Sequence, residues 1–291
     1  MTNPKEIALT RVLVATDLEA TSLEALRTAD RIVRASGASL SVVTAMSASP
    51  SANDAARREA EKQRRAEAEA HVREATGRAP SEYTLFVDAS IPAEAIVARA
   101  KEMAANLVVV GTHDRARVQR WLVGSVAQKV LRDAPCSVLV ARPSPLDGCV
   151  IAACQLDDLT PDVVRWGSKI AGETRLVLLH TVDLGVSDVT LVATAIFSGA
   201  VPPTPTREAV DSIREMAHGA LDAELSAASA KGEVEVKEGA AAPMIIARGQ
   251  ALGASLVVLG SHGRRGLSRL ALGSVAAAVA RDAASSVLVV R

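Results

Sequence analysis

Aromatic side chains are scarce in this chain. They make up 2% of its 291 residues, with two Trp, one Tyr and two Phe. Proteins that bind single-stranded nucleic acids stack bases on aromatic side chains, so a stacking platform for bases or sugars is disfavoured. Small aliphatic residues must fill the core, which is typical of closely packed layers of helices on a sheet.

The chain also lacks an excess of charge and is poor in cysteine. The 33 basic and 33 acidic residues give a net charge of zero, which argues against a whole-chain role in binding nucleic acid or an acidic membrane surface. A local basic patch stays open. Cys136, Cys149 and Cys154 form no C-x-x-C pair, so neither a disulfide framework nor a zinc knuckle is indicated. A reducing, cytoplasmic setting fits best.

Long apolar runs are missing as well. The opening stretch MTNPKEIALTRVLVATDL has no continuous apolar core, so we expect no secretory signal. The most lipid-like later stretch, Val186–Val201, contains Asp188 and is shorter than the roughly 20 residues that span a bilayer. We therefore expect no membrane partner.

The two halves of the chain repeat one another. The stretch Asn106–Arg142 aligns without a gap with Ser255–Arg291, and RVLVATDLEATSLEAL from Arg11 aligns with CVIAACQLDDLTPDVV from Cys149. We interpret the chain as a tandem duplication, with one domain over residues 1–145 and a second over 146–291.

Each half alternates short apolar runs with longer stretches of helical periodicity, such as SLEALRTADRIVRASG, which ends at Gly37. Continuous apolar strands separated by helices indicate a parallel sheet covered on both faces. The predicted fold class is α/β, with two tandem doubly wound (Rossmann-like) domains, each with a five-stranded, mainly parallel sheet. The predicted strands are Arg11–Thr16, Leu40–Ala45, Tyr83–Val87, Leu107–Val110, Ser137–Ala141, Val150–Cys154, Leu176–Thr181, Val234–Val236, Leu256–Leu259 and Ser286–Val290.

Two longer segments, one charged and one rich in proline, differ from the alternating pattern of strands and helices. Ala52–Arg78 is rich in Ala, Glu and Arg and is predicted to be a long surface helix whose charges face solvent. Val189–Thr206 has no counterpart in the first half, and its prolines exclude a helix. We expect a loop there that could cover a groove or contact a partner.

Glycines follow the fourth strand of each half, at the strand ends where doubly wound sheets bind ligands. In the second half Gly260 ends the strand, Gly263 follows, and Gly273-Ser274 opens the next helix. Glycine lets the backbone approach an oxyanion, and the first N–H groups of a helix donate to it. The Ser274 hydroxyl and the intervening arginines could add donors and charge.

The same residues could instead form only a turn and a helix cap. The spacing recurs in the first half as Gly111 and Gly124-Ser125, which adds weight to phosphate binding but also fits a duplicated turn. The pattern is neither a Walker A loop nor a G-x-G-x-x-G fingerprint.

In combination, these motifs resemble the universal stress protein family in its tandem two-domain form. The resemblance rests on the G-x-x-G-x9-G-[ST] spacing from Gly260, on Asp17 in VATDLEATS and on the closing strand SVLVVR, and it covers essentially the whole chain. It implies a pair of five-stranded α/β domains that bind ATP in some members and no nucleotide in others, and that act in stress survival without one agreed reaction.

The resemblance also implies two sets of nucleotide-binding residues. Those at the adenine and ribose end are Ala15, Thr16 and Asp17 in the first half and Ala153, Cys154 and Gln155 in the second. Those at the phosphate end are Gly111, His113, Gly124, Ser125 and Val126 in the first half and Gly260, His262, Gly263, Gly273, Ser274 and Val275 in the second.

The halves depart from the family pattern in complementary ways. The first has Asp114 in place of the second loop glycine, and the second has Gln155 in place of the aspartate. A carboxylate close to a triphosphate adds repulsion of about 1 kcal/mol even in water, whereas a glutamine amide can still donate and accept. We therefore expect the second half to be the more competent ATP site. A magnesium ion bridging Asp114 to the phosphates would reverse that order.

No constellation of residues argues for catalysis. His113 and His262 could act as acid–base groups, but a hydrogen-bonding role beside phosphate is favoured. The other histidines are scattered, without the spacing of a metal site. Cys154 is interpreted as a small buried hydrophobe.

Two function classes compete, and a third, less favoured one is an enzyme such as a nucleotide hydrolase. The first is an ATP-responsive regulatory protein of the stress response, with any hydrolysis slow. The second is an interaction module with decayed sites, whose halves form a pseudo-dimeric scaffold. In the resembled family the closing strand pairs between domains, and an exposed apolar edge is a hazard. We therefore expect SVLVAR and SVLVVR to pair within the chain. Pairing of two chains stays open.

Overall fold

The computed structural model describes residues 7, 9–46, 53–112, 123–143, 148–183, 206–261 and 272–291. Within them the chain forms ten strands and eight α-helices, and no helix is both long and apolar enough to cross a bilayer. The strands are β1 (Arg11–Ala15), β2 (Ser39–Ala45), β3 (Thr84–Asp88), β4 (Leu107–Val110), β5 (Ser137–Val140), β6 (Val150–Ala153), β7 (Leu176–Val182), β8 (Glu233–Glu238), β9 (Leu256–Gly260) and β10 (Ser286–Val290). The helices are α1 (Leu23–Ser36), α2 (Asp54–Thr76), α3 (Pro92–Glu102), α4 (Ser125–Asp133), α5 (Thr160–Ala171), α6 (Arg207–Ala227), α7 (Ala241–Ala251) and α8 (Ser274–Asp282).

The predicted strands are all present, with ends that differ by at most one or two residues. In each half the strands are parallel and adopt the same doubly wound order, β3-β2-β1-β4-β5 in the first half and β8-β7-β6-β9-β10 in the second. The predicted fold class, two tandem Rossmann-like domains with five-stranded sheets, is confirmed.

The two closing strands join these sheets edge to edge. β5 pairs with β10 in antiparallel register, with Leu139 opposite Leu288, so that ten strands form one continuous sheet. All residues of both strands are buried. The pairing therefore removes two apolar edges that would otherwise be open to other chains.

Helices cover both faces of the sheet. On one face α1, α2, α5 and α6 pack against alternate strand residues, and on the other α3, α4, α7 and α8 pack against the residues between them. The central strands are buried on both sides, which is why their sequences are continuous apolar runs rather than alternating ones. This doubly covered arrangement leaves the strand ends as the places where the sheet can be reached.

The charged segment of the first half forms α2, as predicted. Its residues are mostly exposed, and only Ala68, His71 and Val72 are buried. Asn53 begins the helix by accepting a hydrogen bond from the Ala56 amide. The predicted loop over Val189–Thr206 lies outside the described residues except for Thr206, the N-cap residue of α6.

Candidate functional site

A cleft of about 290 Å³ opens at the carboxyl ends of β1 and β4 in the first half. Its walls come from the residues after β1, the end of β2, the start of α3, the end of β4 and the start of α4. The predicted residues that line it are Ala15, Thr16, Asp17, Gly111, Gly124 and Val126. Ser125 begins α4 next to these residues but does not line the cleft.

The second half has a larger cleft, of about 540 Å³, at the carboxyl ends of β6, β7 and β9. The predicted residues that line it are Ala153, Cys154, Gln155, Gly260, Gly273, Ser274 and Val275. His113, Asp114, His262 and Gly263 lie outside the described residues. The structure thus brings together, within each half, the two ends of the predicted nucleotide site.

The position of both clefts follows from the winding of the sheet. In the second half the chain moves outward from β6 to β7 and β8, then returns to place β9 on the other side of β6. Neighbouring connections therefore lie on opposite faces at β6 and β9, which leaves a crevice at the carboxyl ends of these strands. The same reversal occurs between β1 and β4.

The N-termini of α4 and α8 border the clefts. Gly124 and Gly273 precede these helices with φ of −66° and −63°, values open to any residue, and neither helix has a side-chain cap. The glycines are therefore not required by the backbone conformation. Instead they leave out a Cβ beside first-turn N–H groups that have no acceptor within the helix. Such N–H groups can donate hydrogen bonds to a phosphate oxygen.

In both halves, a residue with a left-handed backbone conformation follows the first strand. Leu18 has φ of 68° and Leu156 has φ of 57°, a conformation that costs a non-glycine residue about 1–2 kcal/mol. In the first half the Leu18 amide donates to Thr16 Oγ1 at 3.1 Å, and the Glu19 amide donates to the Asp17 carboxylate at 3.0 Å. Nothing in the sequence pattern indicated this turn, which carries Asp17 and Gln155 at the exposed mouths of the two clefts.

A buried polar network supports the first cleft. Thr16 Oγ1 lies 2.8 Å from Ser22 Oγ, which lies 3.1 Å from His71 Nε2 on α2. Loss of hydration lowers the pKa of His71, so the neutral imidazole is favoured. His71 was not predicted to belong to the site, although its neighbours Ala68 and Val72 mark the buried face of α2.

In the second cleft a histidine lies beside the predicted residues. His180 Nδ1 is 2.8 Å from the carbonyl oxygen of Cys154, and because a carbonyl only accepts, this nitrogen carries the proton. Burial raises the pKa of the Cys154 thiol, so it stays protonated at neutral pH. Cys154 therefore acts here as a small buried wall residue rather than a reactive thiolate.

The second cleft is also the more polar one. Besides Gln155 it is lined by Asp157, His180 and Asp183. The Asp157 carboxylate is engaged in a local hydrogen bond, which it accepts from the Leu159 amide at 3.1 Å. Within the part of the chain that the structure describes, no group of His, Cys, Asp and Glu is arranged to hold a metal ion.

The two halves each match one protein-family model, the universal stress protein family, over residues 9–142 and 150–291. A universal stress protein of Methanocaldococcus jannaschii is 42% identical over 52 residues, which are 18% of this chain and 31% of that protein. The chain thus spans less than a third of the length of the curated relatives it matches.

Two solved structures share the fold over nearly the whole chain. One is a Pseudomonas aeruginosa protein of unknown function, with a TM-score of 0.66 and 19% identity over 98% of this chain and 93% of that one. The other is a universal stress protein from Archaeoglobus fulgidus, with a TM-score of 0.64 and 18% identity over 98% of this chain and 99% of that one. At these identities the likeness concerns the fold alone. Since the family model matches both halves, the chain belongs to the universal stress protein family.

Proposed function

We propose that this protein is an adenine-nucleotide-binding regulatory protein of the stress response, with the cleft of the second half as its principal ATP site. The observation that carries the proposal is the arrangement in that cleft. A helix N-terminus with an uncapped first turn lies at one end, and polar residues at the ends of β6 and β7 lie at the other.

The phosphate end of the proposed site is at α8. Ser274 and Val275 line the cleft and begin the helix, so their N–H groups and the Ser274 hydroxyl are the donors for phosphate oxygens. The Gly273 amide donates to the Ser261 carbonyl oxygen at 2.7 Å. This bond holds the start of the helix next to the end of the strand.

The base and ribose end is at β6 and β7. Gln155 is exposed at the cleft mouth and can both donate to and accept from ribose hydroxyls or a base edge. Asp183 follows β7, which is two strands away from β9, or roughly 10 Å at the usual strand spacing. Its carboxylate is therefore separated from the proposed phosphate position, which limits charge repulsion.

The first cleft is the weaker site in this proposal. Its volume of about 290 Å³ is near the lower limit of ligand pockets, and the sequence has a carboxylate, Asp114, in its loop. The second cleft, at about 540 Å³, lies well within the usual range. No residue is assigned a catalytic role, and any ATP hydrolysis is expected to be slow.

Matched glycine variants test this assignment. Because Gly124 and Gly273 have ordinary φ values, alanine is compatible with the backbone at either position, and in the proposed site its methyl group would lie beside the bound anion. Isothermal titration with ATP, with and without magnesium, is expected to show binding that Gly273→Ala weakens at least about tenfold, the loss that a blocked charged hydrogen bond produces. Gly124→Ala is expected to leave that affinity unchanged. Equal affinities in all three proteins would refute the second cleft as the site.

A pseudo-dimeric interaction scaffold is the second candidate function. It is favoured by the continuous ten-stranded sheet, which joins the proposed domains, residues 1–145 and 146–291, into one unit. Because β5 and β10 are antiparallel, the two clefts lie at opposite edges of this sheet. A wild-type protein that binds no ATP would favour this candidate. The three cysteines are free thiols, and a cytoplasmic location is part of either proposal.

A further inference from the structure

An arginine from the first half holds the last helix of the second half. Arg142 follows β5, and its side chain is fully buried. Its guanidinium donates to the carbonyl oxygen of Ser285 at 2.9 Å and to that of Ala280, in the last turn of α8. The Ala280 carbonyl is one of the last four of the helix, which have no amide partner within it. Arg142 therefore caps α8 from the other half of the molecule.

An arginine of the second half makes the equivalent contact with the first half. Arg291 follows β10 and donates from Nη2 to the carbonyl oxygens of Leu131 and Arg132, in the last turn of α4. In the duplicated alignment Arg291 corresponds to Arg142 and Leu131 corresponds to Ala280. Two equivalent arginines thus make reciprocal contacts across the β5–β10 pair.

The two helices held in this way are the ones that begin at the clefts. α8 starts at the second cleft and α4 at the first. Each has nine residues and is therefore about 14 Å long, short enough to move as a rigid rod. A contact that fixes its last turn also fixes the position of its first N–H groups.

We propose that Arg142 and Arg291 are positioning residues that act across the two halves, each fixing the helix whose N-terminus borders the other half's cleft. The consequence for ligand binding rests on the proposed function. Each half then contributes to the other's site, and the tandem arrangement is needed for binding as well as for covering the closing strands.

The two arginines differ in their exposure to solvent. Arg142 is completely buried, whereas Arg291 is partly exposed. Burial lowers the pKa of Arg142 to about 10, so it remains a cation at neutral pH. Arg142 therefore donates to an α8 carbonyl as a fully buried cation, whereas Arg291 donates to two α4 carbonyls from a position that solvent partly reaches.

Crossed arginine variants in the full chain test the proposal, with amide hydrogen exchange as the first readout. Arg142→Met is expected to raise exchange in residues 274–282 and leave residues 125–133 as in the wild type, and Arg291→Met is expected to do the reverse. Arg142→Lys, which keeps a cation, is expected to restore part of the protection. If Arg142→Met does not fold, Arg142→Lys is compared with the wild type in its place.

Ser286→Ala is the matched control. It removes an acceptor for the Arg142 amide at 3.0 Å across the same strand pair and touches no carbonyl of α8. It is therefore expected to leave exchange in both helices unchanged. If both helices respond equally to either arginine variant, if neither responds, or if Ser286→Ala gives the same change as Arg142→Met, the proposal is overturned.

ATP affinity is the second readout and separates this inference from the proposed function. Arg142→Met is expected to weaken binding at the second cleft by about 2-fold to 30-fold, the usual range for such couplings, while Arg291→Met leaves it unchanged. Equal losses in the two variants would contradict the crossed arrangement. A wild type that binds no ATP would refute the proposed function, and the exchange pattern would still decide the positioning role.

Discussion

Arg142 donates from Nη1 to the carbonyl oxygen of Ser285 at 2.9 Å, a contact between the end of the first half and the segment that leads into the last strand of the second. It adds a side-chain bond to the backbone ladder between β5 and β10. The halves are therefore joined through both backbone and side chains, in a region from which water is excluded.

The two halves, expressed as two separate chains in the same cell, are expected to associate because of this junction. Residues 1–145 and 146–291, co-expressed, should elute from size exclusion as one complex containing a single copy of each. Leu139→Asp should separate them, since it would place a carboxylate opposite Leu288 in a buried pair. Thr84→Asp, on the exposed start of outer strand β3, is the control. Halves of unchanged sequence that elute separately would contradict the junction as described.

A matched pair of positions tests the backbone strain in the two halves. Ala104 has φ of 47°, and its equivalent Gly253 has φ of 58°. Gly253→Ala should lower the free energy of unfolding by about 1 kcal/mol, and Ala104→Gly should leave it unchanged or raise it by up to about 1 kcal/mol. A Cβ on Gly253 would meet no atom within 4 Å, so the effect comes from the backbone alone. Urea denaturation measures both values, and a similar loss in both variants would be the opposite result.

The buried His71 makes stability depend on pH. Because loss of hydration lowers its pKa below the ordinary value of about 6.5, the unfolded chain binds this proton more readily than the folded protein. The contribution of neutral His71 to the free energy of unfolding is complete above about pH 6.5. It is lost as the pH falls through the lower pKa of the folded protein. Urea midpoints should therefore fall less between pH 7.5 and 5.5 in His71→Gln than in the wild type. His218→Gln, at an exposed position on α6, controls for the change of composition. An unchanged slope in His71→Gln would argue against this role.

A buried ion pair in the first half should matter more than an exposed one in the second. Asp30 accepts from Arg78 at 2.5 Å, and each side chain is 11% exposed. Asp30→Asn leaves a buried guanidinium without its counter-charge and should cost at least about 2 kcal/mol of unfolding free energy. Glu233→Gln, at the exposed pair with Arg175, should have a much smaller effect, because solvent screens that pair. Equal losses in thermal unfolding would contradict this ranking.

Most of the fold could be predicted from periodicity. The central strands are apolar runs buried on both faces, and the helices between strands carry apolar residues at helical spacing, so their local patterns agree with the final structure. The clefts could also be located, since Gly260 and Gly273 lie at the end of a strand and the start of the next helix. Duplication helped, because a pattern that occurs twice is easier to distinguish from an accidental turn.

The remaining features depend on contacts between distant parts of the chain. Ser22 and His71 meet only because α2 packs next to α1, and no local pattern encodes that meeting. Arg142 reaches Ala280 only after β5 and β10 have paired. The left-handed conformation of Leu18 runs against the preference of its residue type. It is held by surrounding bonds that become visible only in three dimensions.

The central claim is that the cleft of the second half binds an adenine nucleotide. The most direct measurement is to purify the protein without added nucleotide, denature it, and identify any released small molecule by mass spectrometry, in parallel with Gly273→Ala and Gly124→Ala. The account predicts that an adenine nucleotide is released from the wild type and from Gly124→Ala and is strongly reduced in Gly273→Ala. A nucleotide retained equally by Gly273→Ala, or a wild type that is empty and does not take up added ATP and magnesium, would contradict it.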